Sequence, residues 1–234
     1  MNKYKTIGVV GGQGPASTAD FYMRIVKYFQ DNFGARYVRD FPPMIIFSVP
    51  TPDLVESIEN EELTFSMAAD AIKRLERDGS DFIVVVCNSL QYLIGRLQTL
   101  IKIPIINMAS IVADSVQDRG YKTIGILSTE TTIKKRVYDS NFSEKGIKLV
   151  APNKADQNSM AEVILNIIGG RVTAKDIEKL KKVVGNLKKS GADAIMLACT
   201  ELPPVLKQAD IDLPLIDCNE LYAKAAAKRS SNYY

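Results

Sequence analysis

The sequence predicts an α/β protein made of two similar halves, each with a mainly parallel β-sheet flanked by helices. Short apolar runs alternate with amphipathic helical segments along the chain, which is typical of parallel sheets covered by helices. Three segments also occur twice in the same order, 110 to 117 residues apart, close to half of the 234 residues. Three ordered repeats at one spacing indicate a duplicated architecture.

The repeated segments carry predicted strands. KTIGVV at 5–10 returns as KTIGIL at 122–127, GSDFIVVVCNSL at 79–90 as GADAIMLACTEL at 191–202, and IPIINM at 103–108 as LPLIDC at 213–218. The predicted strands lie near 5–10, 43–49, 81–87, 103–107, 122–128, 147–150, 193–198 and 213–216. The predicted helices lie near 16–33, 57–78, 90–101, 109–119, 131–144, 157–168, 173–190, 202–209 and 219–228. We expect a first domain of residues 1–103 plus 217–234 and a second of residues 104–216.

Composition argues against several kinds of partner. The net charge is +3 and the basic residues are scattered, so a nucleic-acid partner is not expected. No run approaches the roughly 20 apolar residues that span a membrane. The first residues do not read as a signal peptide, because their apolar run is short and ends at glycines. Three widely spaced cysteines in such a chain predict reduced thiols in the cytoplasm.

The absence of histidine restricts the chemistry more than these averages do. Histidine is the usual general base near neutral pH and the commonest metal ligand, and this chain has none. A nucleophile activated by histidine is therefore excluded. Proton transfer must rely on cysteine, carboxylate, lysine or tyrosine side chains, and no metal site is predicted.

Two cysteines occupy equivalent positions in the repeat. Cys87 and Cys199 each follow a predicted strand, 112 residues apart. Ligands of open α/β sheets bind beyond the carboxyl ends of the strands, so the thiols would face each other across a cleft if the halves pack as partners. Inert buried thiols are the alternative. Cys218 aligns with Met108 and is expected to fill apolar space.

The residues after each cysteine are suited to begin a helix. Asn88 and Ser89 follow Cys87, and Thr200 follows Cys199, and such residues are common N-caps. A helix N-terminus favours the thiolate and lowers a cysteine pKa. A thiolate on one face of a carbon and a thiol on the other can remove and return a proton, which inverts a stereocentre without metal or pyridoxal phosphate.

A glycine-rich loop and its counterpart are candidate binding elements for a substrate carboxylate. In GVVGGQGPAST, residues 8–18, the candidates are Gly12, Gln13 and Gly14, with Pro15 in the first helical turn. A bare turn is the alternative, and a dinucleotide site is disfavoured because Ser17 replaces the third glycine of G-x-G-x-x-G.

Two further loops offer polar groups. LSTETT, residues 127–132, supplies Thr129 and Thr132 as carboxylate ligands, or as simple helix caps. SVPTPDL, residues 48–54, supplies Asp53 as a candidate partner for a substrate ammonium group, with a surface turn as the alternative.

These motifs resemble those of the aspartate/glutamate racemase family, the cofactor-independent amino-acid racemases, over nearly the whole chain. GGQGPAST is similar to the family's glycine loop, CNSL and ACTEL to its two cysteine motifs, and STETT and Asp156–Gln157 add weaker support. The resemblance implies two pseudo-symmetric Rossmann-like domains with catalysis at their interface, and commonly a homodimer.

For the site, the resemblance implies that Cys87 and Cys199 are the acid/base thiols. Substrate contacts would come from Asn88, Ser89, Thr200 and Glu201. Aspartate or glutamate is the implied substrate, and no cofactor is implied.

The chain departs from the family pattern at three positions. Gln91 stands where the first cysteine motif usually ends in histidine, four residues after Cys87. Ile168 stands where aspartate racemases tend to have lysine, and Arg171 is the nearest cation. Leu54 replaces an arginine expected after Asp53. The resemblance therefore supports the thiol chemistry more strongly than recognition of a side-chain carboxylate.

Two other functions remain open from the sequence. One is a related enzyme that uses a single thiol for decarboxylation or cis–trans isomerisation. The other is a non-catalytic protein that binds a small molecule.

Overall fold

A computed structural model describes residues 4–56 and 58–231, and the predicted mixed α/β class with parallel sheets flanked by helices is confirmed. The strands are β1 (Ile7–Gly11), β2 (Met44–Ser48), β3 (Phe82–Val85), β4 (Thr123–Ser128), β5 (Lys148–Val150), β6 (Ala194–Ala198) and β7 (Leu215–Asp217). The α-helices are α1 (Pro15–Phe33), α2 (Glu61–Arg77), α3 (Ile94–Gln98), α4 (Met108–Asp118), α5 (Glu130–Lys134), α6 (Asp139–Ser143), α7 (Lys154–Ile168), α8 (Ala174–Lys189) and α9 (Cys218–Ser231). Short 3₁₀ helices occur at Val38–Asp40, Ser89–Leu93 and Gln208–Asp210.

The chain divides into two compact units, and neither unit is continuous in sequence. The first unit contains the residues up to Pro52, Asn60–Met108, and the residues from Asn219 onwards. The second unit contains Asp53–Glu59 and Ala109–Cys218. The chain therefore passes from one unit to the other four times.

Each unit has one parallel sheet, and the two sheets share a strand order. The first is ordered β2-β1-β3, and an isolated parallel bridge joins Ile83 to Ile105 beyond β3. The second is ordered β5-β4-β6-β7. The repeat seen in the sequence thus corresponds to a repeated topology, in which Ile105 takes the place of β7.

Side-chain contacts are duplicated as well. Asp81 Oδ2 accepts a hydrogen bond from Thr6 N at 2.6 Å in the first unit. Asp193 Oδ2 accepts one from Thr123 N at 2.8 Å in the second. Each aspartate therefore ties the start of one central strand to its neighbour in the same way.

A glutamine clamp is also repeated. Gln98 Nε2 donates to the carbonyl oxygens of Ile101 and Ile103, and Gln98 Oε1 accepts from Ile105 N at 2.7 Å. Gln208 makes the same three bonds to Ile211, Leu213 and Leu215. A primary amide can do this because it has two N–H donors and a carbonyl acceptor.

The first unit is closed by the C-terminal helix α9. Arg24 on α1 forms an ion pair with Glu220, and Ser230 O accepts from Lys5 N at 2.9 Å. The buried face of α1 carries Phe21, Ile25 and Phe29 at intervals of four residues, which is the amphipathic spacing of a helix. In the second unit, α7 and α8 cover an apolar cluster on β4 and β6.

The predicted strand at 103–107 is wrong, since only the Ile83–Ile105 bridge forms there. The backbone of Val85, at the end of β3, instead bonds to side chains. Val85 N donates to the Tyr222 hydroxyl at 3.1 Å, and Val85 O accepts from Gln91 Nε2 at 2.8 Å. The two side chains therefore bond to the backbone N–H and C=O of Val85, which a longer fourth strand would otherwise pair with.

Three predicted helices also need correction. The helix at 202–209 is replaced by turns and the 3₁₀ helix, because Pro203 and Pro204 lack N–H donors and restrict the residue before each of them. The helix at 131–144 is divided into α5 and α6 at Arg136, whose φ is +52°. The helix at 90–101 begins as the 3₁₀ turn and continues as the short α3. No helix in residues 4–56 and 58–231 is long and apolar enough to cross a membrane.

The paired clamps lead to a local prediction. In Gln98→Ala, amide exchange in the segment around Ile105 should accelerate about tenfold or more, because the Ile105 N–H loses its acceptor and two carbonyl oxygens lose donors. Hydrogen–deuterium exchange with mass spectrometry of the Ile105 and Leu215 peptides would measure this.

The matched control is Gln208→Ala, which should affect the Leu215 peptide and not the Ile105 peptide. Its effect should be smaller because Gln208 is exposed and water can replace its bonds. Equal acceleration of both peptides in either variant would contradict two independent local clamps.

Candidate functional site

Cys87 lies at the carboxyl edge of the first sheet. The last paired residues of β1 and β3 are Val10 and Val85, and Val86 N donates to Val10 O at 2.8 Å. Cys87 N then donates to Val85 O at 2.9 Å, which turns the chain away from the sheet. Cys87 is 7% exposed. The thiol therefore belongs to a buried strand end beside the loop that leaves β1.

That neighbouring loop is the predicted glycine-rich element. Gly12 has φ +95°, and a Cβ atom there would collide with the backbone of Val49, so glycine is required. Gly12 N donates to Thr18 Oγ1 at 2.9 Å, and Gln13 Nε2 donates to Val49 O at 2.8 Å. Gly14 precedes α1, which begins at Pro15 as predicted. The loop is thus held in one shape by its own bonds.

The segment after Cys87 differs from the prediction. Asn88 and Ser89 are buried, but the helix that begins at Ser89 is a five-residue 3₁₀ helix, and Asn88 makes no side-chain capping bond to it. The predicted α-helix N-terminus behind Cys87 is therefore wrong. The segment becomes α-helical only at Ile94, so the aligned α-helical dipole on which that argument depended begins seven residues after Cys87.

Gln91 and Tyr222 brace the strand end that leads to Cys87. Gln91 Nε2 donates to Val85 O at 2.8 Å and Cys87 O at 3.3 Å, and Gln91 Oε1 accepts from Met108 N at 3.2 Å. The Tyr222 hydroxyl accepts from Val85 N and donates to Ile106 O at 2.7 Å. Tyr222 lies 137 residues from Val85 and belongs to no motif, so no local pattern in the sequence indicates this contact.

Two tyrosine hydroxyls in this region have raised pKa values. Burial raises the pKa of Tyr222, against the lowering effect of its hydrogen bonds with Val85 and Gln91. Burial, followed by the charge of Glu61, raises the pKa of Tyr92 to about 12. Both side chains therefore stay neutral at physiological pH.

Cys199 occupies the corresponding place in the second unit. It directly follows β6, whose last residue Ala198 pairs with Ser128 at the end of β4. Thr129 follows Ser128, so Thr129 and Cys199 leave the same sheet edge from adjacent strands. Cys199 is 7% exposed, the same as Cys87.

The residues after Cys199 form turns. Thr200 and Glu201 are buried, Leu202 N donates to Cys199 O at 3.2 Å, and no α-helix begins there. The predicted N-cap role of Thr200 is therefore wrong, for the same reason that the helix at 202–209 is absent: Pro203 and Pro204 follow.

The two predicted threonines lie together at the start of α5. Thr129 is its N-cap and accepts from Thr132 N at 3.2 Å, and the two hydroxyls are 3.1 Å apart. Both are buried. Gln157 Nε2 donates to Ser128 O at 2.8 Å, which holds the end of β4. Capping, the alternative left open by the sequence, accounts for these contacts.

Asp53 lies in the second unit, within the segment Asp53–Glu59. Its carboxylate oxygens accept from Val55 N at 3.1 Å and Glu56 N at 3.0 Å. These bonds match the surface-turn alternative. Three positions depart from the family pattern. Ile168 is the last residue of α7 and is 45% exposed, and Leu54 is buried. The contacts of Gln91, the third position, are those given above.

Cys218 is the first residue of α9 and is completely buried. Burial raises its pKa far above the ordinary value for a thiol, and a hydrogen bond with Tyr138 opposes this only in part. The thiolate is the reactive form of cysteine, so Cys218 is chemically inert in the folded protein. This agrees with its expected role as apolar filling.

Comparison with known proteins gives consistent matches along the chain. The family model described as Asp/Glu/Hydantoin racemase matches residues 10–226. The broad specificity amino-acid racemase RacX of Bacillus subtilis (strain 168) is 27% identical over 220 residues, which cover 94% of this chain and 95% of the relative. A glutamate racemase of Aquifex pyrophilus is 25% identical over 75% of this chain and 69% of its own length.

Solved structures agree with this assignment. The aspartate racemase of Picrophilus torridus aligns with a TM-score of 0.83 and 27% identity, over 96% of this chain and 93% of that one. An aspartate racemase homologue from Pyrococcus horikoshii OT3 aligns with a TM-score of 0.79 and 26% identity, over 96% and 98%. These matches confirm the family resemblance seen in the motifs and the prediction of an isomerase of the racemase class.

The raised pKa of Cys218 makes a prediction about thiol reactivity. In native protein at pH 8 with excess iodoacetamide, Cys218 should stay unmodified, because its folded pKa lies above the pH and its sulfur is buried. In urea it should react at the rate of an ordinary cysteine with pKa about 8.5. Peptide mass spectrometry would follow the three cysteines in one sample, and modification of native Cys218 as fast as Cys87 would contradict the assignment.

Proposed function

The chain belongs to the Asp/Glu/hydantoin racemase family, and from this premise we propose that it racemises an amino acid by proton transfer between the α-carbon and two thiols, those of Cys87 and Cys199. The observation that carries the proposal is the equivalence of these cysteines. They are 112 residues apart in a duplicated chain, and each is 7% exposed. Cys87 follows β3, which pairs with β1, and Cys199 follows β6, which pairs with β4.

The absence of histidine supports the same proposal by elimination. The chain has no imidazole to act as a general base. Cys218 is excluded by its buried, unreactive thiol. Among the cysteines this leaves Cys87 and Cys199, which lie at the sheet edge where α/β proteins bind ligands.

The proposed step conserves protons. The thiolate of one cysteine takes the α-hydrogen as a proton and becomes a thiol, while the electron pair of the broken C–H bond remains on the substrate. The thiol of the other cysteine gives its proton to the opposite face of the α-carbon and becomes a thiolate. The configuration is inverted, and the thiols have exchanged protonation states.

We propose that polar groups beside each thiol bind the substrate's amino and carboxylate groups. In the first unit these are Asn88, Ser89 and the loop at Gly12, Gln13 and Gly14. In the second unit they are Thr129, Thr132, Thr200 and Glu201, with Asp53 as a candidate for the ammonium group. All except Gln13 and Asp53 are buried or in tight backbone contact.

For the substrate we propose aspartate or glutamate, the amino acids named for several relatives. A second candidate class is uncharged amino acids, because Ile168 is an exposed apolar side chain at the position where the family resemblance implies lysine. The broad specificity in the name of the Bacillus subtilis relative is consistent with either class. A homodimer in the cytoplasm stays a prediction.

The thiol assignment is tested with single enantiomers in deuterated water, using protein freed of pyridoxal phosphate. The wild-type protein should place deuterium at the α-carbon and form the opposite enantiomer. Cys87→Ser and Cys199→Ser should each lose at least about 100-fold in kcat/KM, because a hydroxyl is a far weaker acid than a thiol and general acid–base catalysis contributes about 10² to 10⁴-fold. Chiral chromatography and mass spectrometry would measure both products.

Cys218→Ala is the control and should keep activity, since its thiol has no role in the step. Full activity in either serine variant would exclude the two-thiol mechanism. Turnover that depends on one cysteine only would favour a single-thiol decarboxylase or isomerase. Stabilisation by ligand without turnover would favour a binding protein.

The substrate class is tested with a panel of acidic, polar and apolar amino acids. Introducing a cation with Ile168→Lys should raise kcat/KM for aspartate relative to alanine, because a lysine there could pair with the side-chain carboxylate. Leu165→Lys, one turn earlier on α7, is the matched control for a general charge effect. An equal change in both variants would exclude a specific role for position 168.

A further inference from the structure

The end of β3 differs from the end of β6 in how its backbone is held. In the second unit, Leu197 pairs with Asp217 of β7, so the backbone ahead of Cys199 is fixed by a neighbouring strand. The equivalent residue of the first unit is Val85, and the strand that would pair with it is missing from the described part of the chain. Side chains of Gln91 and Tyr222 bond to Val85 instead.

Gln91 also reaches the cysteine itself. Its Nε2 bonds to both Val85 O and Cys87 O, and its Oε1 accepts from Met108 N at the start of α4. One side chain, 7% exposed, therefore bonds to the backbone before the cysteine, to the cysteine carbonyl and to the first residue of α4. The contact with Cys87 is to its carbonyl oxygen, so it holds the backbone from which the thiol extends.

We propose that Gln91 is a positioning residue for the Cys87 thiol. In the second unit, the pairing of Leu197 with β7 has the equivalent role for Cys199. This inference rests on the proposed function in treating Cys87 as an acid/base group. The amide suits the task because it presents two donors to two carbonyl oxygens and an acceptor to an N–H. A neutral imidazole has one donor, and an ionised carboxylate has none.

In the isosteric variant Gln91→Glu, the number of hydrogen-bond donors on the side chain depends on pH, so the positioning of Cys87 should also depend on pH. The ionised carboxylate of this variant would place negative charge against two carbonyl oxygens, so its pKa should rise and its protonated form should keep one O–H donor. The Tyr222 hydroxyl, which bonds to Val85 as Gln91 does, and the hydroxyl of Tyr92, the next residue in the chain, have raised pKa values and stay neutral. Cys87 is the titratable residue whose carbonyl the side chain contacts. Positioning should therefore hold at low pH and fail as the carboxyl ionises.

For racemisation, kcat of Gln91→Glu relative to wild type should fall about 100-fold between pH 6 and pH 8.5, the loss expected when a reacting group is displaced by about 1 Å. KM should change little, because the thiol acts in the chemical step. Gln91→Met, which has no donor at any pH, should lose kcat by a similar factor across the whole range. It also serves where Gln91→Glu does not fold.

The matched control is Gln98→Glu. Gln98 makes the same pattern of bonds to two carbonyl oxygens and one N–H in the same unit, seven residues further along, and none of them is to Cys87. This variant should lose stability as Gln91→Glu does but keep kcat. If both variants lose activity in proportion to stability, Gln91 has only a structural role and the proposal is overturned.

Thiol alkylation provides a readout that needs no enzymatic activity. In Gln91→Glu above pH 8, the iodoacetamide rate at Cys87 should change at least about threefold relative to Cys199 in the same sample, and Gln98→Glu should leave this ratio unchanged. A constant ratio would overturn the positioning role. Failure of the wild-type protein to racemise any amino acid would remove the proposed function, while the ratio would still test whether Gln91 positions Cys87.

Discussion

Parallel pairing of two strands in each unit is the constraint on which the rest of the structure depends. β1 pairs with β3, and β4 pairs with β6, in registers that end at Val10–Val85 and Ser128–Ala198. Because parallel strands end at the same edge of a sheet, the residues that follow them lie close together without needing additional contacts to place them. Strand pairing therefore sets the positions of the two cysteines, the glycine loop and Thr129 within their units. Motifs that are far apart in sequence need only follow the right strands to become neighbours within a unit.

Backbone groups at both ends of the strands are left without a partner strand, and glutamine side chains repeatedly complete the bonding. Gln98 and Gln208 do so at equivalent places, Gln91 does so beside Cys87, and Gln157 does so at the end of β4. A primary amide resembles a peptide group with one extra donor, so it can substitute for a missing strand. Buried backbone groups are costly when unsatisfied, which makes these bonds important for the shape of the loops.

The sequence was sufficient for what depends on local pattern and on repetition. Apolar runs and the duplicated motifs located the central strands and both cysteines, and the same motifs predicted the family. The helix expected after Cys199 was wrong, although Pro203 and Pro204 were a visible signal against it. The loss of the strand at 103–107 could not be foreseen, because the hydroxyl that bonds to Val85 and Ile106 there lies 137 residues from Val85. Long-range partners of this kind are set by packing and leave no local pattern.

The division of the chain has a consequence for the order in which the protein can fold during synthesis. All of the second unit lies before Asn219, whereas the first unit needs α9, whose Tyr222 and Ser230 bond to Val85 and Lys5. The residues of the second unit, which contains Cys199, are therefore all synthesised before the residues of α9 that follow Cys218, on which the unit that contains Cys87 depends. Although Cys87 is translated 112 residues earlier than Cys199, the closing contacts of its unit come from residues that are synthesised after Cys199.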